Sequence, residues 1–164
     1  MRNKIYIKNE IKDADSRLDA PVIRRAVNTA LRCEGAYAPC EVSVLVTDDN
    51  GIRALNREFR ELDSATDVLS FPLQNFTAGE FRASDGELDR STGLLPLGDV
   101  VLSAERVAAQ AAEYGRTRER ETAYLTVHSV LHLLGYDHTD EGADKRRMRA
   151  REELILAALK IVGE

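Results

Sequence analysis

His128, His132 and His138 are the three histidines of this 164-residue chain, and all fall within the stretch His128-Ser-Val-Leu-His-Leu-Leu-Gly135-Tyr-Asp-His138. A helix turns once per 3.6 residues, so His128 and His132 project from one face, a turn apart. Gly135 can adopt the left-handed conformation that ends a helix, which lets the chain bend back and carry His138 toward the pair. Three imidazoles converging from a helix and its terminal turn predict an open metal site, with a fourth position left for water or substrate. The pattern therefore predicts a catalytic centre with one Zn2+ per chain. Structural zinc sites commonly close with cysteine. Cys33 and Cys40 do not form a short C-x-x-C pair, and each reads better as a small apolar residue.

The spacing H-x-x-x-H-x-x-G-x-x-H is shared with the metzincin proteases, where a glutamate after the first histidine is the general base. Ser129 stands there instead, and it cannot accept a proton at neutral pH. The scaffold for a metal is present while the peptidase base is missing.

Around this motif the chain reads as one domain, residues 1–164. Ile5 and Ile7 alternate with polar neighbours in a first strand; Val42, Val44 and Val46 mark a second; Thr66–Phe71, stopped by Pro72, a third; Asp99–Leu102 a fourth. Asp19, Asp48 or Asp49, Ser103, Thr117, and Thr139 or Asp140 are the expected N-caps of five helices. The buried side of the second helix is expected to be Ile52, Leu55, Phe59 and Leu62. The third is expected to bury Val107, Ala108, Ala111 and Tyr114, and the last Met148, Ile155, Ala158, Leu159 and Val162. Helices gather toward the C-terminal end, so the expected fold is α+β. A small mixed four-stranded sheet would pack with about five helices, its metal-site helix like those of zinc metalloprotease cores.

Residues 74–97 form a long irregular stretch, expected to be either a flap over the cleft or a mobile surface insertion. No apolar run approaches the length of a membrane span, and the N-terminus lacks a hydrophobic signal core, so no membrane partner and a cytoplasmic location are expected. The net charge of −5 argues against bulk attraction to nucleic acid. Arg116, Arg118, Arg120, Lys145, Arg146, Arg147, Arg149 and Arg151 could still form a local basic patch, or a solvated, ion-paired helix face.

Four segments occur in order: Leu55-Asn-Arg-Glu-Phe-Arg60, Thr66-Asp-Val-Leu-Ser-Phe-Pro72, Gly98-Asp-Val-Val-Leu-Ser103 and the histidine motif. Together they resemble the YbeY family of bacterial metal-dependent endoribonucleases, over about residue 40 to the C-terminus. The resemblance implies zinc held by His128, His132 and His138, and an activity in maturing the 3′ end of 16S ribosomal RNA and in ribosome quality control. It implies ribosomal RNA and the small ribosomal subunit, or its assembly proteins, as partners. His128 and Arg60 are the candidate catalytic residues, Arg60 matching an arginine thought to be needed for activity. Asp67, Asp99 and Asp137 are weaker candidates for supporting roles, and Met148 reads as core packing. Ser129 replaces the family's usual glycine and Ala65 a frequent proline. Zinc on three neutral imidazoles lowers the pKa of bound water to about 7, and an arginine can meet phosphate charge in a planar, two-point fashion. Whether water or the RNA 2′-hydroxyl attacks stays open, as do a non-catalytic ribosome assembly role and a metallopeptidase.

Overall fold

A computed structural model describes residues 2–80, 87–137 and 142–161. Its four-stranded sheet has the order β1-β2-β4-β3, with β1 Lys4–Asn9, β2 Cys40–Thr47, β3 Val68–Pro72 and β4 Leu95–Ser103. The first three neighbours are parallel, and β3 runs antiparallel to β4 along one edge. The helices are α1 Ala20–Cys33, α2 Asp49–Arg60, α3 Ala104–Tyr114, α4 Arg118–Leu133 and α5 Ala143–Leu159. The fold is α+β with a mixed sheet, as the sequence predicts.

Period-two patterning aims Val42, Val44, Val46, Val100 and Leu102 at the helical layer, and each is at most 2% exposed. The helix at the centre of that layer is α4, which packs on α1, α3, α5 and the sheet. It buries residues on every side, including Ala123, Leu125, Val127, Val130 and Leu131, as a core helix must. Its start is fixed by Thr117, whose side chain accepts from the Arg120 N–H at 3.1 Å. Ser103 and Asp48 cap α3 and α2 in the same way. Asp19 precedes α1 but makes no side-chain cap bond. Gly142 precedes α5 without a side-chain cap, and Thr139 and Asp140 lie outside the described residues.

On the opposite face of the sheet α2 packs Ile52 on Leu69 and Val101, with Leu45 of β2 beside them. Leu55 is half-buried there, and Phe59 and Leu62 are 60% and 56% exposed, contrary to the expected stripe. The period correctly gives one helix face. Phe59 meets the Phe71 ring of β3 edge to face at 5.5 Å, and both rings line an open groove, so the contact leaves Phe59 largely exposed. Tyr114 at the end of α3 and Ala158 on α5 are exposed as well, while Glu152 and Leu156 take inward positions on α5. Val162 lies outside the described residues. Strand β4 starts at Leu95, four residues earlier than expected, and β3 includes Pro72. Proline is tolerated there because β3 is an edge strand.

Candidate metal centre

The last two turns of α4 carry His128 and His132. Their rings meet edge to face with centroids 4.7 Å apart, and their Nε2 atoms lie 3.1 Å apart. The Nδ1 atom of His132 is 2.8 Å from the Tyr136 carbonyl oxygen. A carbonyl can only accept, so this Nδ1 carries the proton and Nε2 carries a lone pair. Nδ1 of His128 faces a carboxylate oxygen of Glu152 at 3.3 Å, which sets the same tautomer. Two lone pairs thus converge at a separation that would be repulsive with nothing between them. Around a tetrahedral zinc with Zn–N bonds of about 2.0–2.1 Å, neighbouring nitrogens sit about 3.3 Å apart, so the pair matches one edge of such a site. The donor set therefore fits zinc. Among the described residues no group of three His, Cys, Asp or Glu side chains converges, and the third expected donor, His138, lies outside them.

The turn that follows is built as the glycine suggested. Gly135 has φ +95°, and the Tyr136 N–H returns to the Leu131 carbonyl at 3.0 Å. A side chain at 135 would also strike the Phe76 carbonyl oxygen, 2.1 Å from an added Cβ. Phe76 itself is buried in the main core. The start of the 74–97 stretch is therefore packed beneath the motif turn, and Gln74 ties its two arms by bonding both the Pro96 carbonyl and the Glu87 N–H. Residues 81–86 of this stretch lie outside the described residues.

Both imidazoles open on a cleft of about 640 Å³ between α4, the edge strand β3 and the end of α2. Arg60 lines the same cleft. Its Nη2 donates to the Ser70 carbonyl at 2.9 Å, and its guanidinium lies 5.8 Å from the Phe71 ring centroid. Ladder alternation explains this bond. Asp67 and Leu73 pair with β4, so the Ser70 carbonyl between them points outward, toward the cleft. Ser129 does not face the cleft as a base would. It is fully buried, and its hydroxyl lies 2.5 Å from that of Ser70, joining α4 to β3.

The weaker candidates separate. Asp67 and Asp137 line the cleft. Asp67 is occupied as a turn residue, accepting from the Val68 N–H at 2.8 Å and from Gln110 at 3.1 Å. Asp99 sits on the opposite sheet face, in a larger apolar groove of about 790 Å³ that contains neither histidine. Met148 is 1% exposed in the core. Cys33 and Cys40 are free thiols, and neither lines the cleft of the two histidines. The basic residues are dispersed. Arg118 bonds carbonyls of Asp15 and Arg17, Arg147 lies over the Tyr136 ring, and Arg151 pairs with Glu34. Arg116, Arg120 and Arg149 share a groove with Asp67, Glu121, Glu152 and Glu153, which is no simple anion surface.

Glu152, Tyr136 and Ser70 are site residues that sequence reasoning missed. Glu152 carried a signal: a glutamate on the α5 stripe four residues after Met148 is a charge on an inward face, and such charges need a partner.

A family model described as Endoribonuclease YbeY matches residues 5–160. Proteins named Endoribonuclease YbeY are similar over most of their length. That of Roseiflexus sp. (strain RS-1) is 47% identical, covering 90% of this chain and 88% of its own. That of Chloroflexus aggregans (strain MD-66 / DSM 9485) is 44% identical, covering 94% and 96%. Among solved structures, TM1509 from Thermotoga maritima shares the fold with a TM-score of 0.60 and 24% identity, covering 94% of this chain and 88% of its own.

Proposed function

This chain belongs to the YbeY family of endoribonucleases, and we propose that it is a zinc-dependent endoribonuclease of ribosomal RNA. The observation that carries this is the pair of Nε2 lone pairs, 3.1 Å apart, in the same cleft as Arg60. The relatives named endoribonuclease support the reaction class.

In this reading His128, His132 and His138 hold the ion, which supplies Lewis acidity at the scissile phosphodiester. The chain's own groups do the rest. Glu152 and the Tyr136 carbonyl keep protons on the two Nδ1 atoms, so both Nε2 atoms remain donors. Arg60 spends one N–H on Ser70, and the others can meet charge on the non-bridging oxygens. Being fixed beforehand, the guanidinium loses little freedom when RNA arrives. A peptidase is disfavoured because the hydroxyl at the metzincin base position is buried against Ser70.

The proposed substrate is precursor ribosomal RNA at the 3′ end of the 16S species, with the small ribosomal subunit or its assembly proteins as partners, a role in ribosome quality control, and a cytoplasmic setting. Among the described residues no helix is long and apolar enough to cross a membrane. The test is incubation of purified protein, with and without chelator, with a structured ribosomal RNA precursor and with casein. Chelator-sensitive RNA cutting is expected. Intact RNA with retained ribosome binding would leave only an assembly role, and casein digestion would restore the peptidase.

A further inference from the structure

Glu34 occupies an unfavourable place by local rules. It follows the last residue of α1, where the helix dipole disfavours a negative charge, and its side chain is only 3% exposed. A buried carboxylate persists only when it is well paired. Here one oxygen accepts from the Tyr136 hydroxyl at 2.5 Å and the other from Arg151 Nε at 2.7 Å. Arg151 also donates to the Cys33 carbonyl at 3.1 Å, so the end of α1 and the middle of α5 close around the tyrosine.

Tyr136 is held at both ends. Its N–H is bonded to Leu131, its ring is 4% exposed beside Arg147, and its hydroxyl is bonded to Glu34. Its carbonyl is the group that accepts from His132 Nδ1. We propose that Glu34, with Arg151, is a remote positioning residue for the metal centre, acting on the His132 imidazole through the anchored Tyr136. The chain runs Arg151 to Glu34 to Tyr136 hydroxyl, then through the tyrosine to its carbonyl and on to His132. Neither Glu34 nor Arg151 lines the cleft that His128 and His132 open on. They fix the peptide plane that sets the tautomer and direction of one ligand, and such outer partners contribute about 10–100-fold to metal affinity.

This rests on the zinc reading above, and the test separates the two. Tyr136→Phe removes one oxygen and keeps the ring; Glu34→Ala removes the carboxylate; Glu34→Gln keeps an acceptor for the phenol while weakening the pair with Arg151. Zinc affinity is measured by chelator competition on folded protein, alongside the visible spectrum of the Co2+-substituted form and the melting temperature of the metal-free form. Tyr136→Phe and Glu34→Ala should bind zinc about tenfold more weakly and alter the Co2+ bands, with Glu34→Gln in between. A merely structural tie would lower the metal-free melting temperature and leave zinc affinity and the Co2+ spectrum at wild-type values, which overturns the proposal. If wild type itself takes up no zinc, the metal reading falls and this inference with it. Should Glu34→Ala fail to fold, Tyr136→Phe decides alone.

Discussion

Ser70 is touched from two sides. Its carbonyl accepts from Arg60 and its hydroxyl meets Ser129, so one residue of the edge strand sets the guanidinium against the histidine helix. The two contacts call for different outcomes. Arg60 is exposed, and the Ser70 carbonyl it bonds faces the open cleft, where water can take the place of the guanidinium. Arg60→Ala should keep the circular dichroism spectrum and the zinc content while RNA cleavage falls by roughly 10²–10³, the scale for losing one preorganised charge donor. Unchanged cleavage would remove Arg60 from the reaction. Arg60→Lys should recover little, because a point charge cannot reproduce the planar fork. Ser129→Gly works through stability instead. It loses a buried hydrogen bond worth about 1 kcal/mol and places glycine in a helix interior at about 1 kcal/mol more. For a chain of this size, about 2 kcal/mol corresponds to a melting temperature lower by several degrees. Zinc binding and cleavage should survive, since the hydroxyl does not face the cleft; loss of cleavage in a folded variant would give Ser129 a chemical role.

The turn after α4 is the element on which the site depends, and its glycine is held by two constraints at once. At φ +95° an L side chain is strained, and the Phe76 carbonyl blocks the space a Cβ would fill. Gly115 closes α3 at φ +65° with nothing within 4 Å. Gly135→Ala should therefore cost about 3 kcal/mol, strain and overpacking together, and Gly115→Ala about 1 kcal/mol, strain alone. Urea midpoints of the two variants would check this, and equal shifts would mean that Phe76 yields freely. The comparison also shows what could be read from the chain. The helix, its Thr117 cap and the ending at Gly135 were legible because each is a local pattern of spacing and residue type. That a carbonyl 59 residues earlier would press on the same glycine was not, because no periodicity encodes it. Glu34 was hidden likewise: only the fold brings a helix-ending acid against Tyr136. Phe59 failed for the opposite reason, since an apolar stripe reports a face but not whether its contacts close over it: Phe59 meets Phe71 at the side of an open groove.

At the scale of the molecule, the main core is expected to hold without the proposed ion. It joins the inner face of the sheet to α1, α4 and α5, and neither His128 nor His132 belongs to it. Small zinc modules, which lack such a core, unfold without metal. Here the chelated protein should keep its helical spectrum at 25 °C and only melt earlier. With free zinc at about 1,000 times its dissociation constant, the stabilisation is about 4 kcal/mol, or on the order of 10 °C. The pH dependence follows from the donors. Zinc requires neutral imidazoles, so protons compete with the metal and binding weakens as pH falls. The stability that the metal adds is therefore lost as pH falls. Melting curves with and without chelator should therefore lie far apart at pH 7.5, approach one another below about pH 6 and coincide near pH 5. Curves that coincide already at pH 7.5, with metal analysis showing that chelator has removed bound zinc, would mean that the ion adds nothing to the fold. Loss of the helical spectrum on chelation at 25 °C would mean instead that the sheet and α4 cannot hold together without it.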